Sequence, residues 1–188
     1  IIIWPETSLY LPYNSASEEI EKMREATQES ILVFGALKID QTNFLKNSLI
    51  IENKNEETAF YDKSKLVPFG EYLPLEKYLR GIIKFFDLPM SRTKSGHNDQ
   101  NLVSAGKNLV SVLICYEVVY PDLIERDSVL PDMFVTVSND TWFGDSIGPK
   151  QHLQMARMRA AEYGRWMIRS TNNGITALID HNGLLVEE

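Results

Sequence analysis

Short apolar runs rich in β-branched residues recur along the 188-residue chain, and they outnumber its helical patterns. Runs of this length, bounded by turn-forming residues, predict β-strands. The predicted strands are residues 1–4, 31–37, 48–52, 58–61, 102–103, 109–115, 133–137, 166–170 and 175–180. So many strands have to pair in sheets, and each sheet face that is apolar needs a covering layer.

Helical patterns between the strands supply that layer. Ile20, Met23 and Thr27 keep helical spacing, with charged residues on the other face. Residues 149–164 begin with proline and end with glycine, which is the expected asymmetry of a helix, and residues 121–127 predict a shorter one. The sequence therefore predicts one layered α/β domain over residues 1–188, with helices on the sheet faces.

Composition and charge exclude several classes of protein. The net charge of -7 argues against a nucleic-acid-binding surface, which needs clustered lysine and arginine. No apolar run approaches the roughly 20 residues of a membrane span, and no basic leader precedes the first strand. Because the chain starts inside a predicted strand without an initiator methionine, we interpret it as a fragment of a longer protein.

The cysteine and histidine pattern excludes two further kinds of site. A single cysteine rules out an intramolecular disulfide. His97, His152 and His181 stand far apart, with no cysteine or second histidine at ligand spacing. We therefore predict no metal site.

That single cysteine, Cys115, ends the most apolar run of the chain. A turn and a helix that begins at a proline follow it, and a strand-to-helix turn is where a nucleophile is held exposed beside free backbone N–H groups. If the strand continued to Glu117, the two side chains would share a face. The alternative is ordinary, since a lone cysteine after an apolar run usually fills a core.

A thiol of ordinary pKa is mostly protonated at neutral pH, so it needs a base or a neighbouring cation. Glu6, at the end of the first predicted strand, is our candidate base, and Lys63 is the candidate cation. We expect the sulfur to be ionised beside these two charges. The alternatives are a solvated acid and a surface lysine, and Lys65 and Lys77 are equally plausible by residue type.

A fourth candidate, Glu71, lies in a segment, residues 66–74, that two prolines make rigid and that Gly70 hinges. Such a segment predicts a loop that lines a site. A tight surface turn is the alternative.

Taken together, the motifs resemble the nitrilase superfamily of carbon–nitrogen hydrolases, and within it the bacterial apolipoprotein N-acyltransferase family. The motifs are WPE at residues 4–6, KSKLVPFGEY at 63–72, ICYE at 114–117, SNDTWFG at 138–144, GPKQHLQMARMR at 148–159 and TNNGITA at 171–177. The resemblance runs nearly end to end. It implies the αββα sandwich of nitrilases, truncated at both ends, without the amino-terminal membrane helices of the family.

The resemblance also implies roles for particular residues. It makes Cys115 the nucleophile, Glu6 the general base and Lys63 the residue that stabilises the oxyanion. Glu71 and Glu117 become active-site acids.

Two details of these motifs complete the expected site. Tyr116 lies inside the ICYE motif and is a supporting candidate. Many relatives place histidine where this chain has Lys65, a departure that leaves the implied role of Lys63 standing.

The implied activity is the transfer of an acyl chain from a phospholipid donor to the α-amine of a diacylglyceryl apolipoprotein. It needs no cofactor and places the parent protein in the bacterial inner membrane, with this domain on the periplasmic side. The apolar residues 81–90 suggest an arm that touches acyl chains or the membrane surface, or else a packed helix and loop. The alternative function is a soluble amidase that cleaves a small C–N bond.

Overall fold

The computed structural model describes residues 1–27, 30–53, 57–72, 74, 93–97, 100, 102–125 and 129–188. The predicted arm at residues 81–90 and the candidate Lys77 lie outside the described residues. The elements are β1 (Ile2–Ile3), α1 (Ser17–Thr27), β2 (Leu32–Ile39), β3 (Leu45–Glu52), β4 (Ala59–Asp62), β5 (Val103–Ala105), β6 (Asn108–Ile114), α2 (Asp122–Glu125), β7 (Met133–Asn139), α3 (Gly148–Tyr163), β8 (Trp166–Asn172), β9 (Ala177–Ile179) and β10 (Leu185–Glu187). Short 3-10 helices cover Tyr13–Ser15, Cys115–Val119 and Asp140–Phe143.

The strands form two sheets. The first has the order β1-β2-β3-β4, with β1 parallel to β2 and hairpin pairing from β2 to β4. The second has the order β10-β9-β8-β7-β6-β5, with β6, β7 and β8 parallel and antiparallel strands at both edges. Parallel neighbours need a crossover, and α3 supplies the one between β7 and β8.

The two sheets pack face to face. Side chains alternate along each strand, so each sheet has one face toward the other sheet and one face outward. In β2, Val33 points into the layer between the sheets, whereas Leu32 and Phe34 point outward. The buried residues of the central layer are Val33, Leu49, Ile51, Tyr61, Val103, Ala105, Val110, Val112, Ile114, Val135 and Val137.

Helices cover the outer faces. Ile20 and Met23 of α1 pack with Leu32, Phe34 and Ile50 on the first sheet. On the second sheet, α3 buries Leu153, Ala156 and Ala160 against Leu113, Phe134 and Met167. The layers are therefore helix, sheet, sheet and helix, which confirms the predicted αββα sandwich.

Element boundaries differ from the predictions where pairing overrides local composition. The third strand begins at Leu45 because Lys46 and Asn47 continue the hairpin ladder with β2. The exposed strand β10 is absent from the sequence prediction, since its residues carry no buried face. Within the described residues, no helix is both long and apolar enough to span a bilayer.

Candidate active site

Three of the predicted site residues follow strands that end at the same edge of the sandwich. Glu6 follows β1 and Lys63 follows β4, and these strands run in the same direction in the first sheet. Cys115 follows β6 of the second sheet. A cavity of about 430 Å³ opens between the Glu6 loop and Cys115. The fold thus brings together residues that are more than a hundred positions apart in the chain.

The Glu6 loop lies directly on β2 at Gly35. The Gly35 N–H donates to the Pro5 carbonyl, and the Ser8 N–H donates to the Gly35 carbonyl. A Cβ at Gly35 would lie 2.6 Å from the Glu6 Cα, so a side chain there has no room. The next residue, Thr7, has a φ of 52°, a region that a β-branched residue rarely enters. The position of Glu6 therefore depends on a glycine in the neighbouring strand.

We expect Gly35→Ala to displace the Glu6 loop and to slow a reaction that uses Glu6 by about 100-fold, the scale that a 1 Å displacement of a reacting group reaches. Turnover should be measured alongside far-UV circular dichroism to show that the fold is retained. A folded variant with wild-type turnover would contradict the dependence of Glu6 on this close approach.

Lys63 is buried between two acids. Its Nζ lies 2.9 Å from both carboxylate oxygens of Glu71 and 3.6 Å from Oε1 of Glu6. Burial alone would lower the pKa of Lys63, but the charges of Glu6 and Glu71 raise it overall. The side chain is therefore an ammonium at neutral pH, held in one place by its partners.

Glu6 is held by both sheets. Its Oε1 accepts from Asn47 Nδ2 at 2.7 Å, and the same amide group donates to Glu71 Oε1 at 3.0 Å. Its Oε2 accepts from the Asn139 N–H at 2.8 Å, at the end of β7. In addition, Asn172 Nδ2 donates to the Glu6 carbonyl at 3.0 Å. Asn47 therefore joins the two acids, and Asn139 ties Glu6 to the sheet that carries Cys115.

Of the three candidate lysines, the structure describes Lys63 and Lys65, and the exposure of their side chains distinguishes them. Lys63 has a side chain that is 1% exposed and lies between Glu6 and Glu71. Lys65 has a side chain that is 39% exposed and pairs with Asp122 at 3.2 Å. Lys63 thus enters the site and Lys65 faces outward.

Cys115 opens the 3-10 helix after β6 with a φ of 55°, an unusual backbone conformation for a non-glycine residue. Burial and the charge of Glu6 raise the pKa of the Cys115 thiol to about 11, although Lys63 opposes the shift. Among the described residues, no hydrogen bond joins its sulfur to Glu6 or Lys63. The raised pKa favours the neutral thiol over the ionised sulfur that the sequence suggests.

The raised pKa of Cys115 has a measurable consequence. We expect iodoacetamide to alkylate Cys115 slowly at pH 7, with a rate that keeps rising as the pH approaches 11, because only the thiolate reacts. Mass spectrometry of the modified peptide measures this rate. A plateau already reached below pH 8 would contradict the raised pKa.

Glu117 is fully buried and does not share a face with Cys115. Because the strand ends at Ile114, the Glu117 carboxylate turns back and accepts from the Ile114 N–H at 2.8 Å. It also accepts from the N–H groups of Ser64 and Lys65 at 2.6 and 2.9 Å. Burial raises the pKa of Glu117, while these donors oppose the rise. Glu117 therefore fastens the Cys115 turn to the loop that carries Lys63.

The cavity beside Cys115 is lined mainly by apolar and aromatic side chains. Tyr116 is 37% exposed and Trp142 is 61% exposed, so both stand at its open side. The lining residues are Glu6, Thr7, Val67, Pro68, Phe69, Gly70, Glu71, Cys115, Tyr116, Asn139, Trp142 and Phe143. Residues 67–71 of the predicted loop therefore supply one wall, and the space suits an apolar group next to the thiol.

Sequence reasoning missed several polar residues of this region. Asn47 and Asn139 contact Glu6, and a buried cluster of Asp140, His152 and Arg169 lies behind Cys115. The motif at 138–144 contains two of these residues, but nothing in it indicates their partners. Within the described parts of the chain, no group of three or more His, Cys, Asp or Glu side chains is placed to hold a metal ion.

Two facing sheets flanked by helices, with a cysteine at the edge that both sheets share, define the nitrilase-like class of α/β fold. The sequence model of the family described as Carbon-nitrogen hydrolase matches residues 1–188. The chain belongs to the carbon–nitrogen hydrolase family. The solved structure of XC1258 from Xanthomonas campestris, a CN-hydrolase superfamily protein, superposes with a TM-score of 0.69 over 99% of this chain and 72% of that one, at 17% identity.

Closer relatives are apolipoprotein N-acyltransferases. This chain is 49% identical to the apolipoprotein N-acyltransferase of Pseudomonas syringae pv. tomato, and the match covers 97% of this chain. It is 45% identical to the enzyme of the same name from Pseudomonas putida, and this match covers 100% of this chain. These relatives confirm the resemblance seen in the sequence. The chain spans 37% and 38% of the length of these two relatives.

Proposed function

We propose that this chain is the part of an apolipoprotein N-acyltransferase that carries out the transfer of a fatty acyl chain. The donor is a phospholipid, and the acceptor is the α-amine of the diacylglyceryl-cysteine that begins an apolipoprotein. The observation that carries this proposal is the position of Cys115 on an apolar cavity that Glu6 also lines, with Lys63 buried beside Glu6. The identity of 45–49% with enzymes of that name supports the same substrates.

In the first half-reaction, Cys115 is the nucleophile. Because the raised pKa of Cys115 favours the neutral thiol, Glu6 takes its proton as the sulfur attacks the ester carbonyl. The ammonium of Lys63 stabilises the tetrahedral oxyanion, and Glu71 keeps that ammonium in place. Glu6 then returns the proton to the departing lysophospholipid, which leaves an acyl thioester on the sulfur.

The second half-reaction uses the same groups in reverse. The lipoprotein amine attacks the thioester carbonyl while Glu6 accepts its proton, and the thiol is regenerated. Transfer has to outrun hydrolysis, so the acceptor must be held close and water excluded. Tyr116 and Trp142 at the open side of the cavity are placed to limit access of water.

The substrates set the partners and the location. Both are lipids or lipid-modified proteins, so we propose that the full-length protein works at the bacterial inner membrane with this domain on the periplasmic side. The apolar residues 81–90 remain our candidate for contact with the membrane or with acyl chains. The scheme requires no cofactor and no nucleic acid.

The experiment that tests this function compares two kinds of substrate on the full-length protein in detergent micelles. One arm supplies phospholipid with a synthetic diacylated lipopeptide, and the other supplies small aliphatic amides. We expect N-acylated lipopeptide and lysophospholipid in the first arm and no ammonia in the second. Ammonia from the amides without lipopeptide acylation would favour the soluble amidase.

A further inference from the structure

We propose that Asp140, His152 and Arg169 form a buried positioning device for the nucleophile, and that His152 acts by orienting the peptide bond between Cys115 and Tyr116. The inference rests on the proposed function of Cys115 as the nucleophile. It assigns a task to a histidine that the acyl-transfer scheme does not use.

The contacts form one continuous chain behind Cys115. His152, on α3, is 1% exposed, and its Nε2 lies 3.1 Å from the Cys115 carbonyl oxygen. Its Nδ1 lies 2.9 Å from Asp140 Oδ1. Arg169, on β8, is fully buried and donates from Nη2 to Asp140 Oδ2 at 2.8 Å. Burying three ionisable groups together is costly unless they are mutually paired, so this arrangement is a specific feature of the fold.

The direction of the contact with Cys115 follows from its chemistry. Carbonyl and carboxylate oxygens only accept hydrogen bonds, so Nε2 of His152 donates to the Cys115 carbonyl and Nδ1 donates to Asp140. Arg169 in turn donates to Asp140, which fixes the carboxylate and through it the orientation of the imidazole ring. The Cys115 carbonyl therefore has a donor that cannot rotate away.

This bond determines where the next N–H points. No peptide bond is cis in the described part of the chain, and in a trans peptide the C=O and the N–H point in opposite directions. Because the Cys115 carbonyl points to His152, the Tyr116 N–H points away from α3. In the first turn of a helix such an N–H has no acceptor within the helix. We infer that it faces the cavity, where it is the second donor to the oxyanion beside Lys63.

The same cluster explains how Cys115 keeps its unusual backbone conformation. A φ of 55° is unfavourable for cysteine and persists only where surrounding contacts enforce it. Asp140 is itself fixed by Ser138, whose hydroxyl donates to Oδ1 at 2.7 Å. Gly174 packs directly against Asp140, because a Cβ at position 174 would lie 2.5 Å from Asp140 Oδ2. Several elements thus hold Asp140, and through His152 they hold the nucleophile turn.

The test compares His152→Gln, which keeps an amide N–H near the position of Nε2, with His152→Met, which does not. Two reactions of Cys115 are followed by mass spectrometry on the full-length protein. Acylation by p-nitrophenyl butyrate passes through an oxyanion, whereas alkylation by iodoacetamide does not. We expect His152→Met to slow acylation at saturating ester by 10- to 100-fold, with KM within about threefold and alkylation within about twofold. We expect His152→Gln to recover most of the acylation rate.

The outcomes separate positioning from mere stability. Equal losses in acylation and alkylation, or unchanged acylation in a folded His152→Met protein, would overturn the proposal, and so would a failure of His152→Gln to recover the rate. Thermal unfolding of both variants shows whether each is folded. If the wild-type protein is acylated by the ester but never by phospholipid, the proposed function fails while the comparison of the two histidine variants still stands.

Discussion

Cys115→Ala is expected to lower acyl transfer by about 10⁴-fold or more, because the scheme has no second nucleophile to carry the acyl group. These 188 residues contain one cysteine, so covalent thiol chemistry in this part of the protein belongs to this position. The substitution removes one half-buried sulfur from the cavity wall and leaves the surrounding network of Glu6, Lys63 and Glu71 in place. The measurement is the rate of lipopeptide N-acylation by the full-length protein.

Cys115→Ser provides the matched comparison. It keeps a side chain of similar shape but replaces the thiol by a hydroxyl, which is a far weaker nucleophile at neutral pH. Both variants should unfold at temperatures close to that of the wild type. Transfer by the alanine variant at more than about 1% of the wild-type rate would show that Cys115 is not the acyl carrier.

Lys63→Met is expected to damage stability and activity together. Without the ammonium, Glu6 and Glu71 remain buried around the shared Asn47 amide with no cation between them. Removing one partner from such a buried group costs about 3–5 kcal/mol of unfolding free energy. The loss of oxyanion stabilisation lowers turnover by about 100-fold or more. Denaturant unfolding and the acylation assay measure the two effects.

The pH dependence of the stability deficit follows from the charge of Lys63. In the wild type, the pKa of Lys63 is raised, so its stabilising charge is present below the ordinary lysine pKa and is lost only as pH rises through the raised value. In Lys63→Met this charge is absent at every pH. The stability deficit should therefore stay constant from pH 7 to about pH 10, below the ordinary lysine pKa. A deficit that disappears within this range would contradict the role of Lys63 as a charged counter-ion.

The control is Lys65→Met, two positions along the same loop. The Lys65 side chain is exposed and pairs with Asp122 at the surface, where such pairs contribute about 0–1 kcal/mol. We expect its unfolding free energy and turnover to stay close to those of the wild type. Equal losses in Lys63→Met and Lys65→Met would show that the loop, and not the buried ammonium, is responsible.

The sequence predicts features that depend on neighbouring residues better than features that depend on contacts between residues far apart in the chain. The strands and α3 follow from local patterns, and the αββα layering is implied by the family resemblance and seen in the structure. The sequence motifs also point to Glu6, Lys63, Glu71 and Cys115, and the fold places all four around one region. By contrast, the bond from Asn139 to Glu6 joins residues 133 positions apart. Such contacts depend on how the two sheets face each other, which no local pattern encodes.

The turn at Cys115 also depends on contacts that no local pattern encodes. The strand ends at Ile114, and the Glu117 carboxylate accepts from the backbone N–H groups of Ile114, Ser64 and Lys65. The sequence suggests an ionised sulfur because a cation is expected nearby. In the structure, burial and the Glu6 carboxylate raise the pKa of Cys115 by more than Lys63 lowers it. His152 lies far from other ligand-type residues in the sequence, so no spacing marks it, although α3 brings it to the Cys115 carbonyl.

The most direct test of the account is to trap the acyl-enzyme. Full-length protein is incubated with phospholipid without lipopeptide, digested and analysed by mass spectrometry. The account predicts an acyl adduct on the peptide that contains Cys115, removed by hydroxylamine and absent in Glu6→Gln. If wild-type protein that is active in lipopeptide acylation carries no acyl adduct on this peptide, or carries it on another residue, the thioester mechanism is contradicted.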